Sequence, residues 1–240
     1  TTDGKEIRIF KFDEGIASVT KMKTPLHDPI LFLSWWVPES SGPQMLSVFH
    51  FTENQPVGSI YELDGNRLRL KADNIKRFIG AVDADGDRIP ETLLGQKFDP
   101  EEFFDYKIHE LKLIGGDIDY RIPSVTLPNR FTIAGGLLAD LTGDGKPESI
   151  FIRDEIMYIY SGIEALYKTP KQLGGTINKM VYEVDPTAKH IRTKAVSFEI
   201  PPVAADLDGD GGIELLAVSA ERNLLSNTGI SPGIKQTWLS

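Results

Sequence analysis

The stretch Ala204-Ala-Asp-Leu-Asp-Gly-Asp-Gly-Gly-Ile-Glu-Leu-Leu-Ala217 decides the fold, because an acidic, glycine-rich loop lies there between two short apolar runs. Two other segments align with it without gaps. They are Ala81-Val-Asp-Ala-Asp-Gly-Asp-Arg-Ile-Pro-Glu-Thr-Leu-Leu94 and Leu138-Ala-Asp-Leu-Thr-Gly-Asp-Gly-Lys-Pro-Glu-Ser-Ile-Phe151. The first aspartates of the three loops are 57 and 66 residues apart. A period of this length suits a four-stranded antiparallel unit with its loops.

The flanking sequence predicts strands. Apolar runs of four to six residues, bounded by Gly and Asp, are typical of strands that are covered on both faces. Blades of a propeller are covered in this way, so we predict an all-β fold, a β-propeller of four-stranded antiparallel blades. Strands are predicted at 6–12, 17–22, 29–37, 45–51, 59–63, 67–71, 136–139, 149–152, 155–160, 202–205, 215–218 and 234–239. Only the short segments 100–106 and 162–173 have any helical character.

The repeat predicts one β-propeller region over residues 1–240. It would consist of a half blade at 1–25, a metal-free blade at 26–74, blades with acidic loops at 75–127 and 128–193, and a partial blade at 194–240. In the metal-free blade, the gap-free alignment puts Trp36, Pro38 and Ser40 where the aspartates would stand. The chain would thus begin and end halfway through a blade. Either the two halves join in a four-bladed ring, or the chain, which starts at Thr1 without Met or a signal peptide, belongs to a larger protein.

Composition narrows the possible functions. The net charge is −9, and eleven of the acidic residues lie in the three loops. This balance argues against a nucleic-acid partner, since phosphate binding needs clustered Lys and Arg. The chain has no cysteine, which excludes disulfides and thiolate metal sites. No apolar run is long enough to span a bilayer.

The spacing of the acids indicates a metal site. Acids at alternating positions converge only if the chain turns sharply, and glycines at the fourth and sixth positions allow that turn. Two carboxylates about 4 Å apart repel by roughly 4 kcal/mol at an effective dielectric constant of 20, so a cation would stabilise such a loop. Oxygen ligands favour Ca²⁺ over Mg²⁺, and over Zn²⁺, which prefers Cys and His. The loops are not EF-hands, which need a Glu at position twelve and flanking helices. The alternative is that Asp and Gly merely form turns.

The loop Asp206-Leu-Asp-Gly-Asp-Gly-Gly-Ile-Glu-Leu-Leu resembles the calcium loop of FG-GAP/VCBS repeats, which occur in integrin α-chain propellers and bacterial surface proteins. The resemblance implies a loop between the first two strands of a blade, a ring that commonly has seven blades, and up to three structural Ca²⁺ ions. It implies ligands from side chains one, three, five and nine and from the carbonyl of position seven. These ligands would be Asp83, Asp85, Asp87, Ile89 and Glu91; Asp140, Thr142, Asp144, Lys146 and Glu148; and Asp206, Asp208, Asp210, Gly212 and Glu214. Arg88, Pro90 and Thr142 depart from the family pattern.

The resemblance also implies the leading function, which is a non-enzymatic recognition or scaffold module on a secreted, periplasmic or cell-surface protein of bacterial origin. Its protein or glycan partner is unknown, and it would join the remaining propeller blades or another domain of the same protein. A second possibility is a lectin-like propeller that exposes Trp35, Trp36 or Trp238 at blade edges. A third is a polysaccharide-degrading enzyme domain with acids around a central channel.

Few other residues indicate chemistry. The histidines, at positions 27, 50, 109 and 190, have no metal or triad spacing. Glu101, Glu102 and Asp105 lie beside Phe103, Phe104 and Tyr106 in an insertion. A solvated loop is the default interpretation of this insertion and of a second one at 175–189, and contact with a partner is the alternative.

Overall fold

The computed structural model describes residues 6–13, 16–23, 30–39, 42–65, 67–173, 178–198, 201–220 and 234–239. Within these residues all regular secondary structure is β-strand, so the all-β prediction is confirmed. The two segments with helical character are not helical. The carboxylate of Asp99 accepts hydrogen bonds from the backbone N–H groups of Glu101 and Glu102, both at 2.8 Å, as a helix cap would. Phe103 then takes a φ of 69°, which ends the turn, and a strand begins there.

Three sheets have four antiparallel strands that follow one another in sequence order. The first contains β3 (Ile30–Trp36), β4 (Met45–Thr52), β5 (Gln55–Asp64) and β6 (Arg67–Ile75). The second contains β7 (Phe78–Val82), β8 (Thr92–Asp99), β9 (Phe103–Ile114) and β10 (Asp117–Arg121). The third contains β11 (Gly136–Ala139), β12 (Glu148–Arg153), β13 (Ile156–Ser161) and β14 (Glu164–Lys168).

Three smaller antiparallel sheets complete the described structure. One pairs β1 (Glu6–Asp13) with β2 (Ile16–Lys23), and another pairs β15 (Asn178–Glu183) with β16 (Thr193–Phe198). The third contains β17 (Val203–Ala205), β18 (Glu214–Ala220) and β19 (Ile234–Leu239), with β18 in the middle.

In each four-stranded sheet the side chains of the second strand are mostly buried, and those of the fourth strand are mostly exposed. Successive residues of β4, β8 and β12 are buried on both faces of the sheet for at least five positions. The fourth strands are mostly exposed, and every residue of β14 is exposed. A strand whose two faces are both covered must have packing partners on both sides of its sheet. The continuous apolar sequence of these second strands therefore reflects burial on both faces.

The chain divides into two compact units. The first consists of residues 1–82, 89–98 and 108–123. In its core the rings of Phe49 and Phe78 meet edge to face at 5.4 Å, and both side chains are fully buried. Gly58 allows Ile79 to approach closely, since a Cβ at this glycine would lie 2.8 Å from the Ile79 side chain. Ile7 of β1 packs in a cluster with residues of β4 and β5.

The second unit consists of residues 83–88, 99–107 and 124–240. One cluster of its core combines Ile150, Ile152 and Met157 of the third four-stranded sheet with Leu215 and Ala217 of β18. The strands that follow the second and third acidic loops therefore bury their side chains against each other. Burial of apolar surface stabilises this contact by about 25 cal/mol per Å², and it holds together the two strands that follow these loops.

Candidate metal sites

Each acidic loop joins the first and second strands of its sheet, that is β7–β8, β11–β12 and β17–β18. In the second and third loops, the residue before the first aspartate pairs with the ninth-position glutamate, as Ala139 with Glu148 and Ala205 with Glu214. In the first loop Val82 pairs instead with Thr92, one residue beyond the glutamate. The first loop is therefore one residue longer between its paired ends, and its glutamate lies outside the strand.

The three loops share a left-handed backbone at the same two positions. At the fourth position φ is 81° for Gly86, 74° for Gly143 and 82° for Gly209. At the sixth position Gly145 and Gly211 have φ of 79° and 93°, and Arg88 of the first loop has φ of 73°. Residues other than glycine rarely adopt this conformation. The first loop keeps the backbone geometry although it lacks the second glycine.

The first aspartate organises each loop through the same hydrogen bonds. One oxygen of Asp83 accepts the N–H of Gly86, and the other accepts the N–H of Arg88, both at 2.7 Å. The equivalent bonds reach Asp140 from Gly143 and Gly145, both at 2.8 Å, and Asp206 from Gly209 and Gly211, at 2.7 and 3.1 Å. These bonds fold the chain around the carboxylate. A carboxylate has about four acceptor sites, so each of these aspartates keeps lone pairs for a cation.

The first loop gathers the largest acidic group. Asp83, Asp85, Asp87 and Glu91 each offer a carboxylate oxygen, and these oxygens all lie within 4.8 Å of one another. Asp83 is only 8% exposed, and burial raises the pKa of its carboxyl group. The hydrogen bonds from Arg88 and Gly86 lower the pKa, and the charges of Asp87 and Asp85 raise it further. Burial and like charge both disfavour the ionised carboxylate here, and a bound cation would relieve both costs.

The third loop gathers Asp206, Asp208 and Asp210 within the same distance. Its glutamate, Glu214, accepts a hydrogen bond from the N–H of Leu207 at 2.7 Å. This bond ties the two ends of the loop together. Carboxylate oxygens alone form both groups, which is the donor set of hard cations, so each group could hold a metal ion.

The second loop differs from the other two. Thr142 occupies the third position, and among the residues that the structure describes this loop forms no group of three acidic side chains at that spacing. Glu148 accepts the N–H of Leu141 at 2.9 Å, as Glu214 does with Leu207 in the third loop. The second loop therefore has the backbone of a site with one charge fewer. The carbonyl ligands inferred at Ile89, Lys146 and Gly212 stay predictions.

In sequence, residues 37–44 between β3 and β4 contain one acidic residue, Glu39, and the metal-free character of this blade stays a prediction. Trp36 pairs with Met45 at the end of the two strands, and the position of Ser40 lies outside the described residues. Trp36 is only 4% exposed, so the idea that it forms an exposed sugar platform is wrong, because its side chain is packed in the core. Trp35 is 45% exposed. The side chain of Trp238 also lies outside the described residues.

Sequence reasoning missed a group of charged residues in the second unit, where Glu101 forms ion pairs with Arg192 and Lys194. The three residues are up to 93 positions apart in the chain. Only the mixed acidic and aromatic composition around Glu101 could have drawn attention to it. No helix of membrane-spanning length and hydropathy occurs among the residues that the structure places. No protein-family model matches this chain, and a search of curated protein sequences finds no significant relative.

Proposed function

We propose that this chain is part of a calcium-stabilised β-propeller that serves as a non-enzymatic recognition or scaffold module outside the cytoplasm. The observation that carries the proposal is the shared geometry of the acidic loops. Three loops that each join the first and second strands of a sheet have the same left-handed positions and the same aspartate hydrogen bonds. Two of them gather carboxylates tightly. Independent surface turns would have no reason to agree in all these respects.

The sheets support the propeller part of the proposal. They are antiparallel, their strands follow sequence order, and the second strand of each four-stranded sheet is covered on both faces. Radially packed blades cover their middle strands in this way and leave the outer strands exposed. The exposed fourth strands β6, β10 and β14 agree with that arrangement.

The donor chemistry supports calcium. Two oxygens that bind one Ca²⁺ at about 2.4 Å can lie at most about 4.8 Å apart, and the oxygens of both groups meet that limit. Mg²⁺ demands a stricter octahedron and keeps its water molecules. Calcium bound here would hold the two ends of the loop together and neutralise its charge. Sites with the affinity of extracellular calcium modules, about 10⁻⁴–10⁻³ M, would be filled only in a calcium-rich compartment, and on this ground we propose a location outside the cytoplasm.

Calorimetric titration of the chelator-treated full chain tests the proposal. We expect Ca²⁺ to bind at two or more sites and Mg²⁺ to bind far more weakly. A calcium concentration a hundredfold above the Kd adds about 2.7 kcal/mol of stability per site. For a chain of this size, each kcal/mol corresponds to a rise in Tm of roughly 2–4 °C.

Matched variants locate the binding. Asp85→Asn and Asp208→Asn each remove one charge from a gathered group, and each should abolish or weaken one site at least tenfold. Asp185→Asn is the control, since Asp185 makes a similar turn hydrogen bond to the N–H of Thr187 at 2.9 Å outside the acidic loops. A Tm that is the same in calcium and in chelator would refute the proposal. A crystal structure grown with calcium tests the blade arrangement directly.

A further inference from the structure

The second unit contains a cavity of about 540 Å³ that lies away from its acidic loops. Glu102 enters it from the turn before β9, Asp154 from the turn after β12, and Lys194 from β16. The second acidic loop precedes β12 and the turn at Asp154 follows it, so loop and turn lie at opposite ends of that strand. The volume falls within the range of small-molecule sites.

Three residues of the cavity wall have a strained backbone. Phe103, Asp154 and Glu155 line the cavity and have φ of 69°, 54° and 65°. Asp154 and Glu155 form the two-residue turn between the paired residues Arg153 and Ile156, where Asn-Gly or Gly-Gly would relieve the strain. For a residue as bulky as Phe103, which is 1% exposed, positive φ is a true outlier. The turn conformation recurs at Glu53 and Asn54 between the paired residues Thr52 and Gln55, so only the outlier at Phe103 is particular to the cavity wall. Outliers of this kind concentrate at ligand sites.

Most charges of the wall face an opposite charge, and Arg130 lies 3.7 Å from Asp154. Glu101 pairs with Lys194 of the wall at 2.7 Å and with Arg192, which lies outside the lining, and one guanidinium nitrogen of Arg153 lies 3.4 Å from a carboxylate oxygen of Glu102. A charged ligand would have to displace one of these internal partners, at the cost of leaving a charge unpaired. A neutral ligand would not, because a paired carboxylate or guanidinium keeps spare acceptors or N–H donors. The wall therefore suits a neutral ligand with many groups that both donate and accept hydrogen bonds.

Aromatic rings pack in and behind the wall, with Phe103, Phe104 and Tyr182 in the lining and Tyr158 outside it. The ring of Phe103 contacts those of Phe104 and Tyr182, both with centroids 4.9 Å apart. The guanidinium of Arg130 lies over the ring of Tyr158, 5.5 Å from its centroid. Phe103 and Tyr182 are only 1% and 5% exposed, so these rings support the wall from behind and leave a mainly polar surface to the ligand. A ligand that fits this surface has several hydroxyl groups, each of which can both donate to the carboxylates and accept from the cations. Sugars have such groups.

We propose that this cavity binds neutral sugar residues of an oligosaccharide. The proposal goes beyond the proposed function, because it concerns a different set of residues and needs no calcium. A failure to bind sugar would leave the calcium sites untouched, and a failure to bind calcium would leave the cavity in place.

The test is to screen the labelled full chain against an array of neutral and acidic oligosaccharides, followed by calorimetry with the best binder. We expect neutral oligosaccharides to bind.

Variants of the cavity wall locate the binding. Ala195→Trp places a large side chain in the cavity from an exposed position of β16 and should abolish binding. Glu102→Gln and Arg130→Lys remove one charge or one planar donor group, and each should weaken binding at least tenfold. Arg69→Lys, in the exposed pair with Asp64 of the first unit, is the control and should bind like wild type.

Each variant should keep the wild-type Tm, so that a loss of binding is not a loss of fold. The proposal would be overturned if the array gave no binder, or if only acidic glycans bound. It would also be overturned if the binders were unaffected by Glu102→Gln and Arg130→Lys. Binding by an unrelated short peptide in place of sugar would assign the cavity to a different class of ligand and equally overturn it.

Discussion

Arg88 and Gly211 occupy the same position in two acidic loops, and both have a left-handed backbone, with φ of 73° and 93°. The backbone N–H of each donates to the first aspartate of its loop, Arg88 to Asp83 and Gly211 to Asp206. In the first loop, therefore, the hydrogen bond to Asp83 and the spacing of the acids hold the backbone in the left-handed conformation, although arginine disfavours that conformation.

This relationship predicts that Arg88→Gly stabilises the protein. A left-handed conformation costs a residue with a Cβ about 1–2 kcal/mol, and glycine loses roughly 0.5–1 kcal/mol more entropy on folding. The expected net gain in the free energy of unfolding is about 0.5–1 kcal/mol, a rise in Tm of roughly 1–4 °C measured in chelator. The reverse change, Gly211→Arg, should lower the Tm. If Arg88→Gly lowered it instead, the arginine side chain would have to stabilise the loop by more than the strain costs.

The sequence predicts the fold well where local signals are strong. The acidic loops and the apolar runs beside them mark β11, β12, β17 and β18, and β19 was predicted with the bounds that it has in the structure. The signal is local there, because turn glycines and double-sided burial are both visible in a short window. It is weaker for β9, where the capping pattern of Asp99 favours a helical turn and only tertiary packing of Phe103 decides for a strand.

The candidate sites were predictable in part for the same reason. The acids of one loop are close in sequence, so their spacing alone indicates that they converge. The cavity in the second unit was not predictable, because Glu102 of the turn before β9, Arg153 of β12 and Lys194 of β16 are far apart in the chain and meet only through tertiary structure. The shifted register at Val82 and Thr92 was also invisible, since the three loops align without a gap.

The second acidic loop can be converted into a fuller site. Thr142→Asp supplies the charge that this loop lacks at its third position, where the other loops have Asp85 and Asp208. Because added like charge repels, the variant should have a lower Tm in chelator and a larger rise in Tm on adding calcium. Calorimetry should detect calcium binding to this loop at least tenfold tighter than in wild type.

Thr142→Asn is the matched control for that change, since it has nearly the same size as aspartate without the charge. It should leave the calcium response as in wild type. An equal response of the two variants would mean that the third position does not contact the ion, and the inferred ligand set would then be wrong for this loop.

Gly136 at the start of β11 is required by close packing. A Cβ at this position would lie 2.5 Å from the backbone oxygen of Thr132 and 2.7 Å from the ring of Phe131. The backbone oxygen cannot move without disturbing the segment before β11, so Gly136→Ala should destabilise the protein by about 1–3 kcal/mol. Chemical denaturation should show a lower midpoint with an unchanged slope. A midpoint equal to that of wild type would contradict the close approach.

Glu101 makes the stability of the protein depend on pH in a defined window. The hydrogen bond from Lys194 is the largest cause that lowers the pKa of the Glu101 carboxyl group below its ordinary value of 4.5, and Arg192 adds to the effect. A carboxylate whose pKa is lower in the folded state stabilises the fold above its unfolded pKa, and it loses this contribution as the pH falls through the folded value. Wild type should therefore lose more stability below about pH 4.5 than Glu101→Gln does.

Denaturation midpoints measured from pH 6 to pH 3 test this, with Glu164→Gln on the exposed strand β14 as the control. The Glu101→Gln curve should approach that of wild type at the acid end, where a protonated Glu101 is as uncharged as glutamine. Parallel curves over the whole range would show that the ion pairs of Glu101 contribute nothing to folding.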